Sequence, residues 1–232
     1  MNRGEIKTEI LVRSGRDTTS AWTSEAYLND WINQSHKWAA GYKPWPFTEG
    51  RISTTYTSAN EEWSFEGYKA DSFRILQIGG KRFDKVTFED YQIYKEDQSS
   101  GTDKIYTDFG QILFINTLSG ASGTLTAWGQ YIPADILDGD GTDGDSKDTV
   151  FSPGGDEGNE AIIERALGNL YNRDDKQTAL QHYALADKYL EQLWKRITEE
   201  QFRYQTKDRG MWERIDVLEG DYTNELFKRD QF

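Results

Sequence analysis

Lys176–Tyr204, KQTALQHYALADKYLEQLWKRITEEQFRY, is the stretch that decides the fold. Ala179, Tyr183, Ala186, Leu190, Leu193 and Ile197 recur at intervals of four and three. On a helix of 3.6 residues per turn that spacing makes one continuous apolar seam. Such a seam needs a cover, and the segment before it offers one. Ile163, Ala166, Leu167, Leu170 and Tyr171 give residues 157–172 helical spacing, with Asp156 as N-cap. Only Asn172–Asp175 separates the two, so the helices are expected to pack antiparallel.

The other end of the chain is helical as well. Residues 2–16 place Ile6 and Ile10 four apart with Leu11 beside them. A polar turn follows at Asp17–Ser20. Thr23 or Ser24 then caps a second helix running to about Ala40, with Tyr27, Trp31 and Trp38 on one face. Pro44 and Pro46 stop it.

Between the helical ends, residues 50–132 are rich in β-branched and aromatic residues and punctuated by glycine. Ser72–Ile78 and Lys81–Val86 read as strands joined through Gly79-Gly80, because glycine tolerates the positive φ of a two-residue hairpin loop. Ile105–Thr107, Gln111–Ile115 and Gly123–Tyr131 read as further strands, with a tight turn at Gly110. Arg51–Tyr56 and Glu62–Glu66 are weaker strands, and Phe88–Tyr94 is a short helical crossing. Ala134–Asp148 holds six Asp and one Lys and reads as a solvated loop.

The expected fold class is therefore α+β: a helical bundle of two N-terminal and two C-terminal helices, an antiparallel β insertion and an extended C-terminal arm. The expected division is 1–49 with 149–204 for the bundle, 50–133 for the insertion, 134–148 for the acidic loop and 205–232 for the arm. The arm loses the helical periodicity and carries Gly210 and Gly220. It still keeps Met211, Trp212, Ile215, Leu218, Leu226, Phe227 and Phe232, apolar residues suited to ordering on a partner or docking on the chain's own body.

Composition narrows the function classes. The formal net charge is -13, with 40 acidic against 27 basic residues. Residues 133–204 carry sixteen acidic and eight basic side chains. No basic stripe of the kind that grips phosphates is present, whereas an acidic surface suits DNA that must pass without sticking. With no cysteine there is no disulfide, thiolate metal site or cysteine nucleophile. Met1–Arg16 has no apolar segment of an export signal, which fits synthesis in a reducing cytoplasm. No apolar run approaches the roughly 18 residues that cross a bilayer.

Catalytic signals are weak. His36 and His182 are the only histidines, both read as surface or boundary residues, and no G-x-S-x-G pattern occurs. Forty acidic residues make accidental carboxylate pairs such as Glu61-Glu62 inevitable. Asp138–Asp145 resembles a calcium loop, but its register places Asp143 where glycine belongs and Thr149 where a bidentate Glu belongs. Gly154-Gly155 precedes a helix whose Asp156, Glu157 and Glu160 would repel phosphate. No cofactor, no metal and no enzymatic activity are expected.

Trp22-Thr23-Ser24-Glu25 leading into Leu28 and Trp31-Ile32-Asn33 forms one recognisable group. Tyr106 followed by Gly110–Phe114 forms a second. Trp128–Pro133 with the acidic loop, Phe151 and the helix Glu160–Tyr171 forms a third. Together with the long final helix and trailing arm, this order over residues 3–204 resembles the head-to-tail adaptor family of tailed bacteriophages. The resemblance implies a structural subunit of the virion, made in the host cytoplasm. It implies a homo-oligomeric ring, commonly dodecameric, that binds the portal protein on one side and tail proteins on the other. DNA passes through its channel without specific binding, and no membrane is involved. It also implies that the C-terminal arm, from Met211, Trp212, Ile215 and Leu218 to Leu226, Phe227 and Phe232, contacts the portal. Two other readings stay open: a glycan-binding β module using its tryptophans, and a peptidoglycan hydrolase.

Overall fold

A computed structural model describes residues 1–19, 23–135, 143–152 and 156–219; for 143–144 and 201–219 the description covers the backbone alone. The helices are α1 (Arg3–Ser14), α2 (Glu25–Tyr42), α3 (Phe88–Asp97), α4 (Asp156–Tyr171) and α5 (Lys176–Glu219). The strands are β1 (Glu49–Thr55), β2 (Glu62–Ser64), β3 (Ile75–Ile78), β4 (Lys81–Lys85), β5 (Ile105–Phe109), β6 (Ile112–Ile115) and β7 (Thr124–Gln130).

α1 is closed at both ends by local chemistry. Asn2 and Glu5 form a reciprocal capping box, and Gly15 ends the helix at φ 63°. At α2, Ser24 occupies the N-cap position without a side-chain capping bond, while the Thr23 hydroxyl donates to the Asp17 carbonyl. α4 is the centre of the helical unit: α1, α2 and α5 all pack on it, and Ile162, Ile163, Ala166 and Leu170 are fully buried. Gly158 and Gly168 permit the closest approaches, since a Cβ there would meet Phe151 and Tyr183.

The expected helical bundle with an antiparallel β insertion is corrected. The β part is a curled, mixed seven-stranded sheet, a half-barrel in the order β1-β7-β3-β4-β5-β6-β2. β4 and β5 run parallel, connected through α3, and the other neighbours are antiparallel. Chain connectivity requires the curl. β1 and β2 lie on opposite edges, yet only residues 56–61 join them. A flat sheet of this order would be about 29 Å wide, and that link reaches about 24 Å at full extension.

The half-barrel also has its own interior, built from Leu76, Ile78, Phe83, Tyr106, Leu113, Ile115, Leu125 and Ala127. Local residue readings miss this because the core forms between strands far apart in sequence. The Gly79-Gly80 hairpin occurs where expected, both glycines at positive φ. A Cβ on Gly79 would stand 2.2 Å from the Ser122 carbonyl oxygen.

The expected extended arm is corrected over its first part. α5 continues past Tyr204 to Glu219, 44 residues in all. Gly210 costs such a helix about 1 kcal/mol relative to alanine, which does not stop it.

Candidate assembly surfaces

Three arrangements hold the two units and the final helix in fixed relation. Trp45, fully buried, belongs to the helical core and stands just before the chain enters β1. Its indole N–H donates to the Ala39 carbonyl at 2.8 Å, and its ring contacts Phe47, Phe151 and Trp194 at centroid distances of 5.7, 5.8 and 5.6 Å. Lys69, from the link into the sheet, reaches the end of α2 and donates to the Ala40 and Lys43 carbonyls at 2.7 and 3.1 Å. A cation there complements the negative end of the helix dipole. Burial lowers the Lys69 pKa below the ordinary ammonium value. Thr48 completes the joint by donating to Gln130 Oε1 of β7 at 2.5 Å.

The acidic loop is fastened at its end. Asp145 pairs with Arg3 and Lys7, each at 2.7 Å. Partial burial works to raise the Asp145 pKa, but the Lys7 and Arg3 hydrogen bonds outweigh it and hold the carboxyl below its usual range. Arg3 is fully buried. Asp138, Asp140 and the first part of the calcium-like sequence lie outside the described residues, as do Gly154 and Gly155.

Both histidines bind parts of the fold together. His36 is buried rather than superficial, correcting the sequence expectation: Nε2 accepts the Val150 backbone N–H at 3.1 Å. Burial pushes its pKa down to about 4. No sequence signal marked this, because the partner backbone lies 114 residues away. His182 Nδ1 lies 2.6 Å from Glu164, which also accepts from Arg13 at 3.0 Å. Tyr171 stacks on the imidazole. This set ties α1, α4 and α5 together, and neither histidine's described polar contact is with a hydroxyl. Glu61, one of the accidental acidic pair, accepts from the Tyr91 hydroxyl and pairs with Lys95. Among the described residues no cluster of three or more His, Asp or Glu side chains is placed to hold a metal ion, and no helix is long and apolar enough to cross a membrane.

Of the predicted arm residues, Met211, Trp212, Ile215 and Leu218 fall on the distal part of α5. Leu226, Phe227 and Phe232 lie outside the described residues. Among residues with described side chains, Ile197 is the last along the chain to pack on the helical core. The 22 residues from Thr198 to Glu219 add about 33 Å of helix beyond it. Met211, Ile215 and Leu218 stand four and three apart, so the spacing that defines the seam resumes after Gly210.

An α+β chain that bolts a helical unit to a half-barrel and continues into a helix of about 66 Å has the parts of a connecting protein. The comparisons agree. The family model described as SU10 adaptor protein matches residues 1–210. The chain belongs to that family, and so to the phage head-to-tail adaptors. No curated protein matches it.

Proposed function

We propose that this chain is a ring subunit at the head-to-tail junction, docking on the portal protein, joining it to tail proteins and leaving a channel for DNA. The observation that carries the reading is the family match over residues 1–210. The fold is compatible with it. Lys69 and Thr48 fix the half-barrel to the helices, so load applied to one unit is transmitted to the other. The chain's net charge of -13 suits a passage that DNA crosses without adhering. A dodecamer is the copy number this reading adopts.

The proposed portal contact is the C-terminal arm. Met211, Ile215 and Leu218 share one side of the distal helix, Trp212 flanks them, and Leu226, Phe227 and Phe232 follow in the sequence. An apolar helix face of this kind inserts into a groove of a partner. Removal of residues 205–232 tests it: the shortened chain should keep its thermal unfolding and fail to be recovered with the portal. Recovery with the portal at full yield would remove the arm from the contact. The arm should also be cut readily by protease in the free chain and resist it in the particle.

A further inference from the structure

A cleft of about 460 Å³ lies where β4 passes into α3, beside the end of β5. Part of its lining is aromatic. Phe88 and Phe109 stack with ring centroids 4.3 Å apart and planes 17° from parallel, and Phe114 meets Phe88 at 5.5 Å. Phe109 is still 52% exposed and belongs to neither apolar core. Ile93, exposed as well, stands one turn beyond Glu89 on the same side of α3.

The charged part of the lining is uneven. Asp71, Glu89 and Asp108 are acidic and Lys85 alone is basic, three against one, a net charge of -2. Two of the four are already engaged. Lys85 Nζ donates to the Phe73 carbonyl at 2.8 Å and lies 4.0 Å from Asp108 Oδ2, which accepts the Phe73 N–H at 2.7 Å. Asp71 and Glu89 remain, both exposed and neither with a cation in ion-pair reach among the described residues. The positive end of α3 does not balance them, because Thr87 caps it and Asp90 already stands in its first turn. Asp71 is also fixed in place. It is the one non-glycine residue at positive φ among the described residues, at 56°, and Lys85 Nζ meets its carbonyl at 3.5 Å. A residue keeps that conformation where its surroundings hold it.

We propose that this cleft receives an arginine side chain of a partner protein, whose guanidinium stacks on Phe109 and pairs with Asp71 and Glu89. The inference adds a contact on the half-barrel to the one assigned to the arm, and it does not depend on the ring reading. A guanidinium is planar and weakly hydrated, so it lies on an aromatic ring while its fork of N–H donors meets carboxylates. The exposed Phe109 and Ile93 give apolar surface to the residues that flank the arginine. A metal ion is the poorer fit, since among the described residues no three His, Asp or Glu side chains are placed to hold one. Phosphate and DNA meet carboxylates of their own sign.

The probe is the peptide acetyl-Leu-Arg-Leu-amide, with citrulline in place of arginine as its neutral counterpart of nearly the same shape. Each is titrated into the full chain and followed by backbone amide shifts. The arginine peptide should bind at least tenfold more tightly, with its shifts concentrated at residues 87–89 and 107–109. Equal affinity would make the cleft an apolar pocket indifferent to charge and would overturn the proposal. So would shifts centred elsewhere, or no binding. The double variant Asp71→Asn with Glu89→Gln removes both charges at nearly constant shape, and asparagine tolerates the positive φ. It should raise the dissociation constant of the arginine peptide at least tenfold and leave the circular dichroism spectrum unchanged. An unchanged dissociation constant would also overturn the proposal.

Discussion

The helical unit and the half-barrel treat their charged side chains differently. In the helical unit ionic groups are drawn into links between elements: Arg13 with Glu160 and Glu164, Arg16 with Asp174, Lys7 with Asp145, and Arg196 with Glu157. Arg165, which lies on no such carboxylate, is placed over the Trp38 ring at 4.0 Å, and burial lowers its pKa. The half-barrel has fewer such links, Lys95 with Glu61 at 3.3 Å and Arg74 with Glu49 and Lys85 with Asp108 at 4.0 Å, and its Arg51 and Arg82 meet no carboxylate among the described residues. The buried carboxyl on the sheet side, Asp108, is held up in pKa by burial while the Phe73 N–H, at 2.7 Å, works the other way. The difference teaches how each unit is held: salt bridges join distant elements of the helical unit, whereas the half-barrel is held chiefly by strand pairing around its apolar interior.

This comparison can be broken in four places, beginning with the largest effect. Trp45→Ala empties the helical core beside the junction and should destabilise the chain by about 3–5 kcal/mol, read as a lower denaturant midpoint. A loss under about 1 kcal/mol would mean that Trp45 does not hold the helical core together. Acidification should come next. His36 is neutral when folded, with its pKa at about 4 against an ordinary value of 6.5. The unfolded chain therefore binds the proton first as pH falls. The stabilisation is complete above about pH 6.5 and is lost as pH drops toward 4, to the extent of about 3 kcal/mol. His36→Gln should flatten that part of the stability-against-pH curve, and an unchanged curve would assign the loss to other groups.

Lys69→Met is expected to cost about 1–3 kcal/mol by removing the ammonium donor from the Ala40 carbonyl and leaving the Lys43 carbonyl with the Trp45 N–H alone. Its effect should show first as faster amide exchange at the end of α2. The smallest effect sharpens the contrast most. Arg51→Glu with Arg82→Glu should move stability by no more than about 0.5 kcal/mol, since exposed residues without partners contribute little. A large loss would show that these arginines do serve the fold.

Much of the architecture was legible because its causes are local. The four-and-three spacing from Ala179 to Ile197 identified α5, and Gly79-Gly80 identified the hairpin. Pro44 and Pro46 stood just beyond the end of α2. Features that depend on distant partners were not legible. The parallel pairing of β4 with β5 and the curl of the sheet follow from packing around a common interior. The burial of His36 depends on the Val150 backbone, and the fastening of Asp145 depends on Arg3. The continuation of α5 was obscured because Gly210 and the surrounding charges hid a spacing that Met211, Ile215 and Leu218 take up again. The cleft beside α3 was hidden for a different reason. Asp71 and Phe109 are 38 positions apart, and only the folded sheet brings them to one cleft.

The central claim is that this chain acts as a head-to-tail adaptor in a ring. Affinity recovery of the tagged chain from cells making its natural partners, followed by native mass spectrometry and peptide identification, tests it most directly. The account predicts a very large complex holding many copies of the chain together with a portal-like ring protein. Recovery of the chain alone, or bound to glycan fragments, would contradict it.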